Sequence, residues 1–159
     1  MATVTATRAA ATFPVARPSP QSVGIARGSY QFTATPAADD IVEFCRVPKG
    51  AVVTGGKFTL GKLESSTSGA TFDMDIGWAD NGTDVSDTDG FGNFGAPSFA
   101  AVTGVKPEAT FAMMRLGGVL GTAGPKTFAA ETKIIGHIVA SATNFTTATA
   151  FVEVNYEVP

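Results

Sequence analysis

The clearest alternation in the chain is Thr71-Phe-Asp-Met-Asp-Ile-Gly-Trp78. Phe72, Met74, Ile76 and Trp78 fall on one face of an extended strand, and Asp73, Asp75 and Gly77 on the other. That pattern predicts one buried side and one wet side. The closing run Thr149-Ala-Phe-Val-Glu-Val-Asn-Tyr-Glu-Val158 keeps the same period of two. Val152, Val154, Tyr156 and Val158 point to a core, while Glu153, Asn155 and Glu157 point to water. Ile41-Val-Glu-Phe-Cys-Arg-Val47 is apolar on both faces apart from Glu43 and Arg46, the mark of a central strand, and Pro48-Lys49-Gly50 breaks it. Ser29 to Ala34 places Tyr30 and Phe32 on one face, and Thr132 to Ala140 reads as a further strand. Val52 to Leu63 carries Gly55-Gly56 in its middle, which predicts two short pieces or one bulged strand.

Between these segments, Asp80-Asn81-Gly82 signals a turn, and residues Ala79 to Pro97 read as a long loop rich in Asp, Gly and Phe. Ser98 to Thr103 is a candidate short strand. Pro107 to Leu116 is the one helix candidate: Pro107 suits a first turn, Ala, Met and Leu favour helix, and Gly117-Gly118 would stop it. A strand is the alternative there. About eight short strands, Gly-rich turns and at most one short helix predict an all-β antiparallel sandwich, jelly-roll-like or Ig-like.

The chain ahead of the first strand has a different character. Met1 to Ala38 holds Arg8, Arg17 and Arg27 but no Asp or Glu, and Pro14, Pro18 and Pro20 remove amide donors and fix φ. The expected division is an extended N-terminal arm over 1–28 and a β-sandwich domain over 29–159. An acid-free arm with spaced arginines suits docking on an acidic neighbour, the alternative being a disordered tail. Deleting residues 1–28 is then expected to leave the domain folded.

At 159 residues the chain can bury a core without a disulfide or metal staple. Charged residues make up 16%, against roughly 25% in an average globular domain, so part of the surface is expected to be covered by partners. A net charge of −3 argues for neither nucleic acid nor an acidic shell. No apolar run approaches the roughly 20 residues that span a bilayer. The charge order at the start is wrong for a signal peptide, and the reading is a soluble protein made in the cytosol. Cys45, the single cysteine, cannot form an internal disulfide and reads as a small core residue.

Candidate chemistry is sparse. His137 is the only histidine and sits mid-strand, which rules out any site needing two, and no G-x-S-x-G elbow exists. Asp73 and Asp75 stand roughly 6–7 Å apart by strand geometry, a spacing that suits paired carboxylates. Trp78 points to the other face, however, so no sugar platform accompanies them. Asp84, Asp87 and Asp89 are weak calcium ligand candidates. The EF-hand register fails, since its first position falls on Val85 and its twelfth on Ala96. Phe91, Phe94 and Phe99 must fold back on the core or bury themselves in a partner. These features point to no catalytic residues, no bound cofactor and an interaction set of Arg8, Arg17, Arg27, Phe91 and Phe94.

The strand Ala70-Thr-Phe-Asp-Met-Asp-Ile-Gly-Trp78, the run Asp87-Thr-Asp-Gly-Phe91, the ending Ala150-Phe-Val-Glu-Val-Asn-Tyr156 and the segment Gly56-Lys-Phe-Thr-Leu60 together resemble small structural proteins of tailed bacteriophages, of the head-decoration or capsid-cement type. The resemblance spans residues 51–158 and is one of pattern and order, with no catalytic motif to carry over. It implies a non-enzymatic virion protein that binds the outside of a phage capsid and stabilises the lattice. The implied partner is the major capsid protein, and the implied assembly is a homo-oligomer, a trimer before a dimer, without nucleic acid or membrane. The implied location is the capsid exterior, after synthesis in the host cytoplasm. A carbohydrate- or receptor-binding sandwich of a phage fibre or other minor virion component is the alternative.

Overall fold

The computed structural model describes residues 1–19, 22–61, 63–64, 71–94 and 111–159. Its strands are β1 (Thr3–Thr5), β2 (Val23–Phe32), β3 (Ile41–Val47), β4 (Val52–Gly61), β5 (Asp73–Trp78), β6 (Asp87–Phe94), β7 (Phe111–Arg115), β8 (Lys126–Thr127), β9 (Thr132–Ala140) and β10 (Ala148–Glu157). A 3-10 turn at Thr7–Ala9 and a one-turn helix α1 (Val119–Thr122) are the helical pieces among the described residues. The strands form two sheets, in the order β1-β3-β9-β5-β6 and β2-β10-β4-β7, with β8 hydrogen-bonded to β4.

Setting the short β1 and β8 aside, the chain pairs from its ends inward. β2 pairs β10, β3 pairs β9, β4 pairs β7 and β5 pairs β6, every pair antiparallel. The second partners, β10 to β4 and β9 to β5, complete the two sheets. A nested hairpin rolled into two sheets is a jelly roll. An Ig-like sandwich would instead pair the first strand with the second, so the topology decides between the two architectures left open by the pattern.

The alternating positions fill the space between the sheets. Val152, Val154 and Tyr156 of β10 meet Val42, Phe44 and Val47 of β3, Phe58 and Leu60 of β4, and Met74 and Ile76 of β5 in one core. Cys45 lies within it, and burial pushes its thiol up to about 12. Tyr30 and Phe32 share a face as expected, their rings edge-to-face at 5.0 Å. Gly55-Gly56 leaves β4 a single bulged strand, with the register against β10 shifting between Asn155 and Tyr156.

Three expectations are corrected. Residues Phe111–Arg115 are a strand paired to β4, not the end of a helix. Ladder pairing with β4 outweighs the helix propensity of Ala and Met; Pro107 to Thr110 lie outside the described residues. The Ala79–Pro97 segment contains β6: Gly90 and Gly92 break the apolar alternation that would have marked a strand. Gly95 to Pro97, the Ser98–Thr103 strand candidate and Phe99 lie outside the described residues. The face of β5 expected to be wet is buried at Asp75, which is 7% exposed, and at Gly77. Register explains this. Ile76 pairs Gly92 and Trp78 pairs Asp87, so Thr88 to Phe91 stand opposite the single residue Gly77, and the backbone at Asp87 and Thr88 covers its outer side. A side chain at 77 would overlap the Asp87 carbonyl.

Candidate interaction surfaces

The first surface is the rim where the N-terminal segment lies. β1 runs parallel to β3, with Thr3 beside Ile41 and Thr5 beside Glu43. The Ile41 amide donates to Ala2 O at 2.8 Å and the Ala6 amide to Glu43 O at 2.8 Å. Asp40 accepts from the Ala2 amide at 2.6 Å and from the Ala37 amide at 3.0 Å, which holds its carboxyl below the usual range. Ala6 and Ala9 are buried. Further along, the Arg46 guanidinium of β3 donates to the carbonyls of Ala11 and Phe13 and pairs with Glu131. The Tyr156 hydroxyl of β10 donates to Ala16 O at 2.6 Å.

These contacts place the arm on its own domain, and the boundary expected at 28/29 falls inside β2. The lack of regular structure read from the prolines holds for residues 14–19, after a turn at 10–13 closed by the Phe13 amide on Ala10 O at 3.0 Å. It misses that Val23-Gly-Ile-Ala-Arg-Gly28 continues the alternation of Tyr30 and Phe32, with Gly24, Ala26 and Gly28 facing inward. Arg8 and Arg17 are exposed, Arg8 lying over the Phe13 ring at 5.4 Å. Arg27 belongs instead to the sheet, where it pairs with Glu153 at 2.8 Å.

The second surface is the outer face of the β2-β10-β4-β7 sheet. Val23, Ile25 and Phe151 are 58%, 47% and 51% exposed there, large enough fractions for apolar side chains to offer area to a partner. Among them, Glu153 holds Arg27 and lies 3.6 Å from Lys57.

The third is the outer face of the opposite sheet. Asp75 stands directly across from His137 on β9. Burial first, then the neighbouring Asp73 and Asp89 carboxylates, push Asp75 up to about 6 against the pull of His137. Burial raises Asp73 also. His137 Nε2 lies 3.5 Å from Asp39 Oδ1, and Lys133 is taken by Glu43 at 2.7 Å. Glu43 in turn accepts from the Thr5 hydroxyl at 2.7 Å.

The remaining sequence candidates are not brought together at any of these places. Phe91 and Phe94 are 0% and 6% exposed, which corrects their assignment as contact residues. Phe91 packs 5.1 Å from the Trp78 ring and Phe94 5.3 Å from Phe58. The bulge opposite Gly77 lets Phe91 turn inward, and Phe94 shares the inward face of its partner Met74. Asp84 is committed to protein donors: Asn81 Nδ2 and the Ala129 amide at 2.9 Å, and Lys126 Nζ at 3.3 Å. Asp87 shares a hydrogen bond with Asp89. Among the described residues no group of three or more His, Cys, Asp or Glu is placed to hold a metal ion.

One functional group had no sequence signal at all. Glu64 lies in the β4–β5 connection and accepts the amides of Thr71 at 2.9 Å, Phe72 at 3.1 Å and Thr143 at 3.0 Å. It thereby ties that connection to the turn between β9 and β10. Burial alone would raise its carboxyl, but the amides of Phe72, Thr71, Thr143 and Asn144 outweigh burial and hold it below the usual range.

No protein-family model matches the chain, and no curated protein matches it. Its fold is shared with chains of solved phage capsids. A chain in the capsid of Ralstonia phage GP4 superposes with a TM-score of 0.73 at 15% identity, covering 99% of both chains. One in the cyanophage Pam1 capsid asymmetric unit gives 0.63 at 21% identity, over 94% of this chain and 96% of that one. One in the acidic stable capsid structure of Helicobacter pylori bacteriophage KHP30 gives 0.55 at 14%, over 89% and 91%. The likeness therefore runs essentially end to end, N-terminal segment included.

Proposed function

We propose that the chain is a non-enzymatic virion structural protein that decorates the outside of a phage capsid and stabilises its lattice. The observation that carries this reading is the shared fold over nearly the whole length of chains found in phage capsids. The surfaces are consistent with it. Exposed apolar positions on one sheet and exposed arginines on the rim give repeated weak contacts, which a symmetric shell multiplies. The partner on this reading is the major capsid protein, the assembly a trimer before a dimer, and the site of action the capsid exterior. Arg8 and Arg17, exposed on a fastened rim, are the residues that would face an acidic patch of that partner.

Co-sedimentation with capsids lacking the protein tests the proposal. Wild type is expected to bind saturably at a fixed ratio to the capsid protein. The Arg8→Ala/Arg17→Ala double variant, with an unchanged circular dichroism spectrum, is expected to bind at least tenfold more weakly. Absence of wild-type binding would overturn the reading and turn attention to a fibre or carbohydrate-binding role, which a glycan array reads directly. Undiminished binding by the double variant would remove the rim from the interface while leaving the decoration role standing.

A further inference from the structure

Three polar atoms on the outer face of the β3-β9-β5 sheet share one defect. Asp73 Oδ1, Asp75 Oδ1 and His137 Nδ1 are fully enclosed and have no hydrogen-bond partner. Asp75 and His137 are directly opposite across the β5–β9 ladder, and Asp73 is the next residue on the same face of β5. Enclosing a carboxylate oxygen without a donor is costly, and a carboxyl in that position relieves the cost by taking a proton. His137 Nδ1, across the ladder, is enclosed and unpartnered as well, so it supplies no donor to either carboxylate. A proton on Asp75 removes the unpaired buried charge.

We propose that Asp73 and Asp75, across the ladder from His137, form a proton-binding site on the outer face of the sandwich, which takes up one proton from mildly acidic solution and so stabilises the fold.

The charged groups around the site favour uptake. Asp73 comes from β5 itself, Asp89 with its hydrogen-bonded neighbour Asp87 from β6, and Asp39 from the β2–β3 connection. On β9, Lys133 lies on the same face but is held by Glu43 of β3, so it offers Asp75 no donor. Asp75 therefore binds its proton near pH 6 in the folded chain, against an ordinary value of 3.8. The folded value lies above the unfolded one, so the fold favours the protonated form. The stabilisation is present in acid and is lost as pH rises through about 6. Between pH 8 and pH 5 the unfolding constant should fall by up to about tenfold from this site alone. Glu64, Asp84 and Asp40 titrate below the usual carboxyl range and act in the opposite sense only at lower pH.

The site is independent of any capsid, so purified protein suffices to test it. Carbon-13 titration of the aspartate carboxyls in the wild type should give Asp75 a midpoint near 6, and this measurement needs no variant to fold. Asp75→Asn is neutral at every pH and so carries no buried charge to relieve. Its urea midpoint should exceed that of the wild type at pH 8 and change less between pH 8 and pH 5, while the wild-type midpoint rises toward it. An Asp75 carboxyl titrating near 4, or parallel curves for the two proteins, would overturn the assignment.

Discussion

Glu64 shows how much of this sandwich hangs on single side chains at its connections. A buried carboxylate that accepts amides from two separate loops stands in for backbone pairing those loops cannot make for themselves. Glu64→Gln keeps the shape but turns one acceptor into a donor, setting N–H against N–H. Hydrogen bonds to a charged acceptor contribute about 1.5–3 kcal/mol each, so a loss of roughly 3 kcal/mol in urea unfolding at pH 7 is expected. Because the folded-state pKa of Glu64 lies below its ordinary value, the wild-type advantage is full above the ordinary carboxyl range and disappears as pH falls through the lowered value. Equal stabilities of the two proteins at pH 7 would contradict that role. Nothing in the sequence could have found Glu64, since its neighbours in space come from 71–72 and 143–144, and short-range pattern carries no such information. Arg46 and Glu43 were visible as the two polar interruptions of an apolar strand. Their work, holding the N-terminal segment and pairing with Lys133, became legible only once β1 was laid beside β3.

At the scale of elements, strands whose apolar side chains mark most of their inward positions were legible in the sequence, and those in which glycine takes two or more of the marking positions were not. β5, β9 and β10 announce themselves through side chains at every second position. β6 and the first half of β2 do not, because Gly90, Gly92, Gly24 and Gly28 stand where an apolar residue would mark the pattern. Those glycines answer to close approach of other chain segments. A Cβ at Gly28 would run into the Phe44 backbone, where β2 of one sheet crosses β3 of the other. Gly77 answers to the β6 bulge in the same way. Gly77→Ala places a methyl group against the Asp87 carbonyl, a backbone atom that cannot swing aside. Overpacking of this kind costs about 1–3 kcal/mol and sometimes more. The variant is expected at the upper end of that range, with faster amide exchange confined to β5 and β6. A Gly77→Ala protein as stable as wild type would mean that the bulge is free to move away from the sheet.

For the molecule as a whole, the jelly-roll pairing makes the N-terminal region part of the fold rather than an appendage. β2 closes its sheet against β10. Cutting the chain after Gly28 removes six of the ten β2 residues and uncovers the pairing edge of β10 from Val152 to Glu157. Ladder bonds at about 1 kcal/mol each and the lost burial of Tyr156 and Val154, at about 2–3 kcal/mol each, sum to roughly 10 kcal/mol. That equals the entire stability of an ordinary domain. Removing residues 2–19 is a different operation. It takes away β1, the buried Ala6 and Ala9, and the bonds to Arg46 and Tyr156, and leaves the pairing among β2 to β10 in place. The shorter truncation is therefore expected to unfold cooperatively at a lowered urea midpoint, and the 1–28 deletion to give no cooperative transition. A cooperative, near-wild-type melt from the longer deletion would show that β2 is dispensable. The difference matters for any binding experiment, because loss of capsid binding reports on the arm only in a protein whose sandwich survives the cut.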